Sequence, residues 1–506
     1  MTDVTITLDP SSRIGAVPRR LFGGFVEHLG RHIYDGIHEP GHPSADADGF
    51  RQDVIELVRE LGVSTIRYPG GNFVSGYRWE DGVGPREDRP TRLDLAWHSI
   101  ETNEVGLHEF STWLEKVGSD LMLAVNLGTR GIEEAVDLLE YANVPGGTTL
   151  SERRRDNGRD EPFAVEMWCL GNEMDGPWQL GHLDADSYGR LASRTAHAMK
   201  LVDPAITTVA CGSSSRDMDT FGTWERTVLG HAYDNVDYLS CHAYYEERDG
   251  DRAAFLASGE HMARFIDEII VAADHVKALK RSDKTIQISF DEWNVWYMNR
   301  PAPGSFSGTA VDEFAHAPRL LEDQYTVLDG VVFGSLLITL LRHCDRVTSA
   351  SLAQLVNVIA PIMTEPGGPA WRQTTFYPFA LTSRLARGVA LRVPVSSGTF
   401  SAAKLGEVAD VDAVATWDQD AGAASVFVVN RALDGSRDVS VDVSGLGAVA
   451  VEEAHLLADG DLDAANTLDD PERVSTVALE GATVADGILT FTLPAVSWAA
   501  VSLTLS

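Results

Sequence analysis

Cysteine is scarce in this chain of 506 residues, and its four copies show no CxxC spacing. Cys169, Cys211, Cys241 and Cys344 are far apart in the sequence, and three of them lie within apolar runs. This usage argues against a disulfide framework and against a cysteine metal site. We interpret all four as reduced core residues of a cytoplasmic protein.

Basic residues are also few, because 41 Lys and Arg residues face 75 Asp and Glu residues, which gives a net charge of −34. Such a balance excludes most nucleic-acid binding and suits a neutral substrate. No apolar run approaches the roughly 18 residues that a membrane span requires. The first residues lack the basic and apolar regions of a secretion signal. We therefore expect no nucleic acid partner, no membrane association and a cytoplasmic location.

What the chain does contain is an alternation of short apolar runs with longer amphipathic stretches. Eight runs read as buried parallel strands: Phe22–His28, Ser64–Pro69, Leu121–Leu127, Glu166–Gly171, Thr207–Cys211, Tyr238–His242, Ile286–Phe290 and Ser349–Leu355. Eight strand–helix units predict an α/β fold of the (β/α)8 TIM barrel type. A doubly wound open sheet is the alternative, and it is less favoured because no glycine-rich phosphate turn follows an early strand.

Beyond residue 385 the pattern changes to alternating runs separated by turn residues, which predicts an antiparallel β-sandwich. We therefore divide the chain into three parts. Residues 1–18 form an N-terminal strand that joins the sandwich, residues 19–385 form the catalytic barrel, and residues 386–506 form an all-β, jelly-roll-like domain. The last part has few aromatic residues, so we expect it to be structural rather than sugar-binding.

Two glutamates near the ends of apolar strands carry the functional argument. Glu173 follows the run Glu166–Gly171, and Glu292 follows the run Ile286–Phe290. In a parallel barrel, the C-terminal strand ends border one ligand site. Paired carboxylates on such a rim are the usual apparatus for hydrolysing glycosidic bonds. The sequence therefore predicts a glycosidase, although it does not show the distance between the two carboxylates.

Further polar side chains lie near other predicted strand ends. Glu27 and Asn172 could bind sugar hydroxyls, and Asn72 follows a Pro-Gly-Gly turn that would direct it inward. Arg67 lies within a strand, where an unpaired guanidinium is costly. We expect it to pair with a barrel carboxylate such as Glu292.

The sixth and eighth predicted strands add more candidates. His242 and Tyr244 are two residues apart and should share a face. Tyr244 could hydrogen-bond the nucleophile, whereas a structural role and a ligand contact both remain open for His242. Trp296 could pack on the sugar or in the core. Of Gln354 and Asn357, we expect one to contact the sugar.

Several segments together resemble the α-L-arabinofuranosidases of glycoside hydrolase family 51. They are Phe22–Gly36, RYPGGNFVSGYRWEDGVGP at 67–85, WCLGNEMDGPWQ at 168–179, Ser240–Tyr245, FDEWNVWY at 290–297 and AQLVNVIAPI at 353–362. The resemblance implies a retaining exo-enzyme that removes terminal non-reducing α-L-arabinofuranosyl groups, with Glu173 as acid/base and Glu292 as nucleophile. It also implies that a set of side chains holds the furanose or lines the site, namely Glu27, Asn72, Asn172, Tyr244, Gln354, Trp97 and Trp296. It further implies a homo-oligomer, often a hexamer.

Three alternatives remain open from the sequence. The first is another retaining glycosidase on the same barrel, such as an endo-glucanase or a β-xylosidase. The second is a non-catalytic carbohydrate-binding protein. The third is a metal-dependent hydrolase, which is disfavoured because the histidines lack HExxH spacing. We expect no metal and no cofactor. We also expect the loop at 298–317 to be a lid or a subunit contact.

Overall fold

The computed structural model describes residues 2–298 and 313–505, and its central feature is a closed barrel of eight parallel strands. In chain order the strands are Gly23–Phe25, Thr65–Tyr68, Asp120–Val125, Met167–Leu170, Thr207–Ala210, Tyr238–Tyr245, Gln287–Val295 and Val347–Leu352. The eighth strand pairs with the first, which closes the barrel. The predicted (β/α)8 fold is confirmed, and the open-sheet alternative is wrong.

The helices surround the barrel with their apolar faces turned inward. In the described part of the chain they are Gln52–Leu61, Leu107–Val117, Ile132–Asn143, Thr149–Asp156, Ala185–Val202, Thr223–Ala232, Arg252–Leu256, Ser258–Lys280, Val327–Arg342 and Phe376–Leu385. The helix Val327–Arg342 begins directly after Thr326. There the Thr326 side chain accepts a hydrogen bond from the Asp329 backbone N–H and caps the first turn.

Two further sheets form the all-β unit. One contains, in spatial order, Val395–Ser396, Thr2–Thr7, Arg437–Asp442, Ile488–Leu493 and Thr483–Ala485. The other contains Arg13–Ala16, Val389–Leu391, Val411–Asp418, Ala423–Asn430, Ser497–Leu505, Val449–Leu457 and Val477–Ala478. The N-terminal strand joins this unit as predicted, although it runs parallel to Arg437–Asp442. The domain boundaries after residues 18 and 385 stay predictions.

The helix Val327–Arg342 connects the two units. It is mostly apolar and almost fully buried, because it packs on strands of the second sheet as well as on the barrel. Gly334 is required for this contact, since a Cβ there would lie 2.3 Å from the Trp498 ring. The contact supports a packing role for the all-β unit.

The four cysteines are buried free thiols, which confirms their interpretation as core residues. Across residues 2–298 and 313–505, every helix is too short or too polar to cross a bilayer.

Candidate active site

Glu292 lies inside the seventh barrel strand, Gln287–Val295, rather than beyond its end as the sequence suggested. Ser289 pairs with Ser240 on the neighbouring strand, whereas Glu292 pairs with His242, so the seventh strand carries one extra residue. Such a β-bulge interrupts the alternation of side chains and redirects them. It explains why two adjacent acidic residues, Asp291 and Glu292, both lie in a buried part of the strand.

Two donors hold the Glu292 carboxylate. Arg67 Nη1 donates to Oε1 at 2.9 Å, and the Tyr244 hydroxyl donates to Oε2 at 2.7 Å. Burial raises the pKa of Tyr244 well above its usual range, so the hydroxyl keeps its proton. Burial alone would lower the pKa of Arg67, but the surrounding acidic groups raise it, so the guanidinium stays charged. Both contacts fix the orientation of the Glu292 carboxylate.

Glu173 lies three residues beyond the fourth barrel strand, which ends at Leu170. The chain turns sharply there, because Gly171 has a φ of 91° and Glu173 has a φ of 42°. Left-handed backbone at a non-glycine residue is strained and is common at functional sites. In this position, Oε1 of Glu173 lies 2.9 Å from His242 Nδ1, and Oε2 accepts a hydrogen bond from Trp178 Nε1 at 2.6 Å.

His242 links the two glutamates. Its Nδ1 lies 2.9 Å from Glu173 Oε1 and 3.5 Å from Glu292 Oε2. Burial alone would lower the pKa of His242, but the two carboxylates together raise it above its ordinary value. The two carboxylates therefore stabilise the protonated ring, and an Nδ1–H group can donate to either of them. One ligand atom from each of the three residues lies within 4.8 Å of the others.

These three groups also match the ligand types that bind divalent cations. The expectation that no metal takes part in the reaction therefore stays a prediction.

A third carboxyl group, that of Glu27, forms another wall of the site. Its Oε1 accepts hydrogen bonds from the Phe73 backbone and from Trp97 Nε1, and its Oε2 accepts one from Gln354 Nε2 at 3.1 Å. Gly70 permits this packing, since a Cβ there would lie 2.4 Å from the Glu27 Cβ. Burial outweighs these donors and raises the pKa of Glu27 to about 8. A protonated Glu27 can donate a hydrogen bond to a ligand at neutral pH.

The remaining candidates join the same group of side chains. Asn172 accepts a hydrogen bond from Arg67 Nη2 at 2.7 Å, and its amide nitrogen lies 3.4 Å from Asn72 Oδ1. The Trp296 ring packs edge-on against Tyr244, with 4.9 Å between the ring centroids. The structure thus brings all eleven candidates to one mouth of the barrel, while their roles in binding and catalysis stay predictions.

Some neighbours differ from expectation. Asn357 is fully buried and donates to the Arg31 backbone and the Thr364 hydroxyl, so Gln354 is the member of that pair that reaches the site. Trp178 was missed, although an aromatic residue five positions after Glu173 in a loop was a usable signal. Of the loop at 298–317, the segment 299–312 lies outside the described residues.

Comparison with known proteins places this site in a family. The alpha-L-arabinofuranosidase C-terminal domain matches residues 291–497, and the alpha-L-arabinofuranosidase 1 domain matches residues 57–261. The chain is 58% identical to an exo-alpha-(1->6)-L-arabinofuranosidase of Bifidobacterium longum, over 98% of this chain and 96% of the relative. It is 56% identical to an intracellular exo-alpha-(1->5)-L-arabinofuranosidase of Streptomyces lividans, over 98% of this chain and 75% of the relative.

Solved structures agree with the sequence relatives. A family 51 alpha-L-arabinofuranosidase from Bifidobacterium longum is 51% identical, covers 99% of both chains and superposes with a TM-score of 0.95. A thermostable enzyme of the same family from Thermotoga petrophila is 33% identical, with a TM-score of 0.87 over 99% of this chain and 100% of that one. This chain therefore belongs to the α-L-arabinofuranosidases of glycoside hydrolase family 51.

Proposed function

We propose that this chain is an exo-acting α-L-arabinofuranosidase that releases terminal non-reducing α-L-arabinofuranosyl groups with retention of configuration. The observation that carries the mechanism is the gap of no more than 4.8 Å between carboxylate oxygens of Glu173 and Glu292. Retaining glycosidases need about 5–5.5 Å between the two groups, whereas inverting ones need roughly 6.5–9.5 Å to admit water. This close approach of the two carboxylates supports the retaining arrangement.

In the first step Glu292 attacks the anomeric carbon while Glu173 donates its proton to the departing oxygen. Arg67 and Tyr244 donate to the two oxygens of Glu292 and hold them in place before attack. The negative charge on Glu292 disfavours a second charge on Glu173. Glu173 therefore carries the proton while Glu292 carries the charge. An arabinosyl ester of Glu292 results.

In the second step Glu173 takes a proton from a water molecule, and that water attacks the ester. The charge of Glu292 is absent in the ester, so Glu173 is better able to hold a negative charge and act as a base. His242 and Trp178, which donate to its two oxygens, support this ionised form. The water enters at the anomeric carbon from the side that the leaving group vacated, which gives retention.

The furanose ring lies between the two glutamates and the Glu27 wall. Glu27 and Gln354 are placed for hydroxyl groups, and Asn172 for the hydroxyl next to the reacting carbon, where a hydrogen bond is most useful in the transition state. Asn72, Trp97 and Trp296 complete the proposed pocket.

The substrates proposed for the chain are arabinan, arabinoxylan and oligosaccharides derived from them. The relatives in Bifidobacterium longum and Streptomyces lividans are named for different linkages, so the linkage is not assigned. Several relatives are named intracellular, which supports a cytoplasmic location. We also propose a homo-oligomer, with a hexamer as one form. The mass measured by light scattering tests this.

A panel of p-nitrophenyl glycosides tests the proposal, with the anomer of the first product read by proton NMR. We expect rapid release from the α-L-arabinofuranoside, retained configuration and no effect of a chelator. Faster release from a β-xyloside or cellobioside would favour another glycosidase. Binding of arabinose without release from any member would favour a carbohydrate-binding protein.

A further inference from the structure

A cleft of about 710 Å³ lies beside the proposed catalytic site, and its lining includes Phe73, whose backbone N–H donates to Glu27. Three leucines in its lining are unusually exposed: Leu93 at 58%, Leu95 at 60% and Leu180 at 36%. Exposed leucines are ordinary when they are scattered, but a group of them in one concave surface marks a binding site.

One wall of the cleft is a short hairpin whose strands are Arg92–Asp94 and Ser99–Glu101. Asp94 is buried and accepts hydrogen bonds from the Trp97 backbone and the Ser99 hydroxyl. Leu93 and Leu95 flank Asp94, and both are exposed in the cleft lining. The hairpin is anchored to the site, since Trp97 Nε1 donates to Glu27. The positions of the leucines are thus fixed relative to the sugar pocket.

The opposite wall begins at the proposed acid/base. Trp178 donates to Glu173, Gln179 donates to the Ser75 hydroxyl, and Leu180 follows in the cleft lining. The backbone of Leu180 packs closely on Gly128, because a Cβ on Gly128 would lie 2.3 Å from the Leu180 carbonyl oxygen. The segment 178–180 therefore leads from Glu173 directly into the cleft.

Four charged side chains of the cleft lining form two ion pairs. Arg92 contacts Asp81 at 2.9 Å, and Arg130 donates to Glu80 at 2.8 Å. Such paired groups offer hydrogen bonds without a strong net charge, and the leucines offer apolar contact. This combination fits a neutral sugar chain, which presents hydroxyl groups at its edges and C–H groups on its faces.

We propose that this cleft binds the glycan that departs on cleavage, as a chain of at least two sugar units, and that Leu93 and Leu95 set the preference for it. The proposal rests on the proposed function. It follows from position, because the acid must lie next to the oxygen of the leaving group. The segment 178–180 joins these two places, since Trp178 donates to Glu173 and Leu180 is in the cleft lining.

The test compares kcat/KM for p-nitrophenyl α-L-arabinofuranoside, an arabinofuranosyl disaccharide and the corresponding tetrasaccharide. The variants are the double substitution Leu93→Ser/Leu95→Ser and, on the other wall, Leu180→Ser. Leu201→Ser is the matched control, because Leu201 is 74% exposed on the helix Ala185–Val202, outside the cleft lining. Melting temperature and mass by light scattering are measured for each protein.

The wild type should prefer the tetrasaccharide over the disaccharide. The double variant should lose that preference by roughly tenfold, Leu180→Ser by a smaller factor, and the control not at all. An unchanged ratio in both cleft variants, or a wild type without chain-length preference, would overturn the proposal while arabinose release still stands. The proposal would also be overturned if a cleft variant kept the tetrasaccharide-to-disaccharide ratio of kcat/KM but had a lower mass by light scattering. That result would assign the leucines to a contact between copies of the chain. Failure of the wild type to release arabinose would instead refute the proposed function.

Discussion

Glu292 and Glu173 have nearly opposite surroundings, although their oxygens lie within 4.8 Å of each other. Glu292 is inside a barrel strand and is held by donors from two other barrel strands, Arg67 and Tyr244. Glu173 is in a loop beyond a strand, at a strained φ, and one of its two donors is Trp178, which is 52% exposed.

The difference matches the chemistry proposed for each group. A nucleophile must be ionised and fixed before the substrate binds, which a rigid strand with a permanent cation provides. A group that acts first as acid and then as base must exchange protons with the leaving group and with water. A loop position with an exposed donor permits that exchange, so the fold itself separates the two roles.

The largest effect is expected for Glu292→Gln, which keeps the shape of the side chain and removes its charge. We expect kcat to fall by roughly 10⁴-fold or more on every substrate, because the carboxylate itself attacks carbon. Steady-state assays with aryl and oligosaccharide substrates measure this, with circular dichroism as the folding control. Appreciable activity that cannot be traced to wild-type contamination would remove Glu292 from the role.

Glu173→Ala should affect substrates unequally. Poor leaving groups need the proton, so kcat/KM on oligosaccharides should fall by about 10²–10⁴-fold, while activated aryl glycosides lose far less in the first step. Added azide should restore turnover of the aryl glycoside as an arabinosyl azide forms. Equal losses on both substrate types, with no response to azide, would refute the acid/base assignment.

Tyr244→Phe tests the fixed surroundings of Glu292. The change removes one hydrogen bond to a charged group, which is worth about 1.5–3 kcal/mol, so kcat should fall by roughly 10–100-fold. Because this contact acts on the nucleophile, aryl and natural substrates should suffer alike. A loss confined to oligosaccharides would place Tyr244 on the leaving-group side instead.

Glu27→Gln tests the third carboxyl group through the pH dependence of stability. Burial raises the pKa of Glu27 to about 8, so the folded state keeps a proton that the unfolded state releases above about 4.5. The stabilising contribution is complete below pH 4.5 and is lost as pH rises towards 8. Over that window the wild type should lose at least about 1 kcal/mol more than the variant, the value of one pKa unit.

Denaturant unfolding at several pH values measures this difference. If the free energy of unfolding changed with pH in the same way for the wild type and for Glu27→Gln, Glu27 would be ionised in the folded protein.

The smallest effect is expected for Trp178→Phe, which removes the exposed donor to Glu173 and keeps an aromatic ring. An exposed hydrogen bond contributes little, so kcat on oligosaccharides should change by less than about tenfold. Steady-state assays on oligosaccharides measure this change. An effect as large as that of Tyr244→Phe would contradict the contrast between the two glutamates.

Much of this arrangement is predictable from local sequence. Eight apolar runs identify the barrel strands because buried parallel strands need apolar side chains on both faces. Glu173, Glu292, Arg67 and Tyr244 follow from their positions near strand ends and from the cost of an unpaired buried charge.

The rest depends on long-range contacts that local patterns do not encode. The β-bulge that places Glu292 within its strand depends on pairing with two neighbours. The return of Trp178 to Glu173 depends on the loop path, and the partner of Trp97 depends on a hairpin that folds over the first strand. Trp97 was identified only through the family resemblance.

The central claim is that Glu292 forms a bond to the sugar carbon, and mass spectrometry tests it most directly. Glu173→Ala is incubated briefly with an activated aryl α-L-arabinofuranoside, quenched in acid and digested. The account predicts one pentosyl group attached to the peptide that contains Glu292. An unmodified Glu292 peptide, together with a product of inverted configuration, would contradict it.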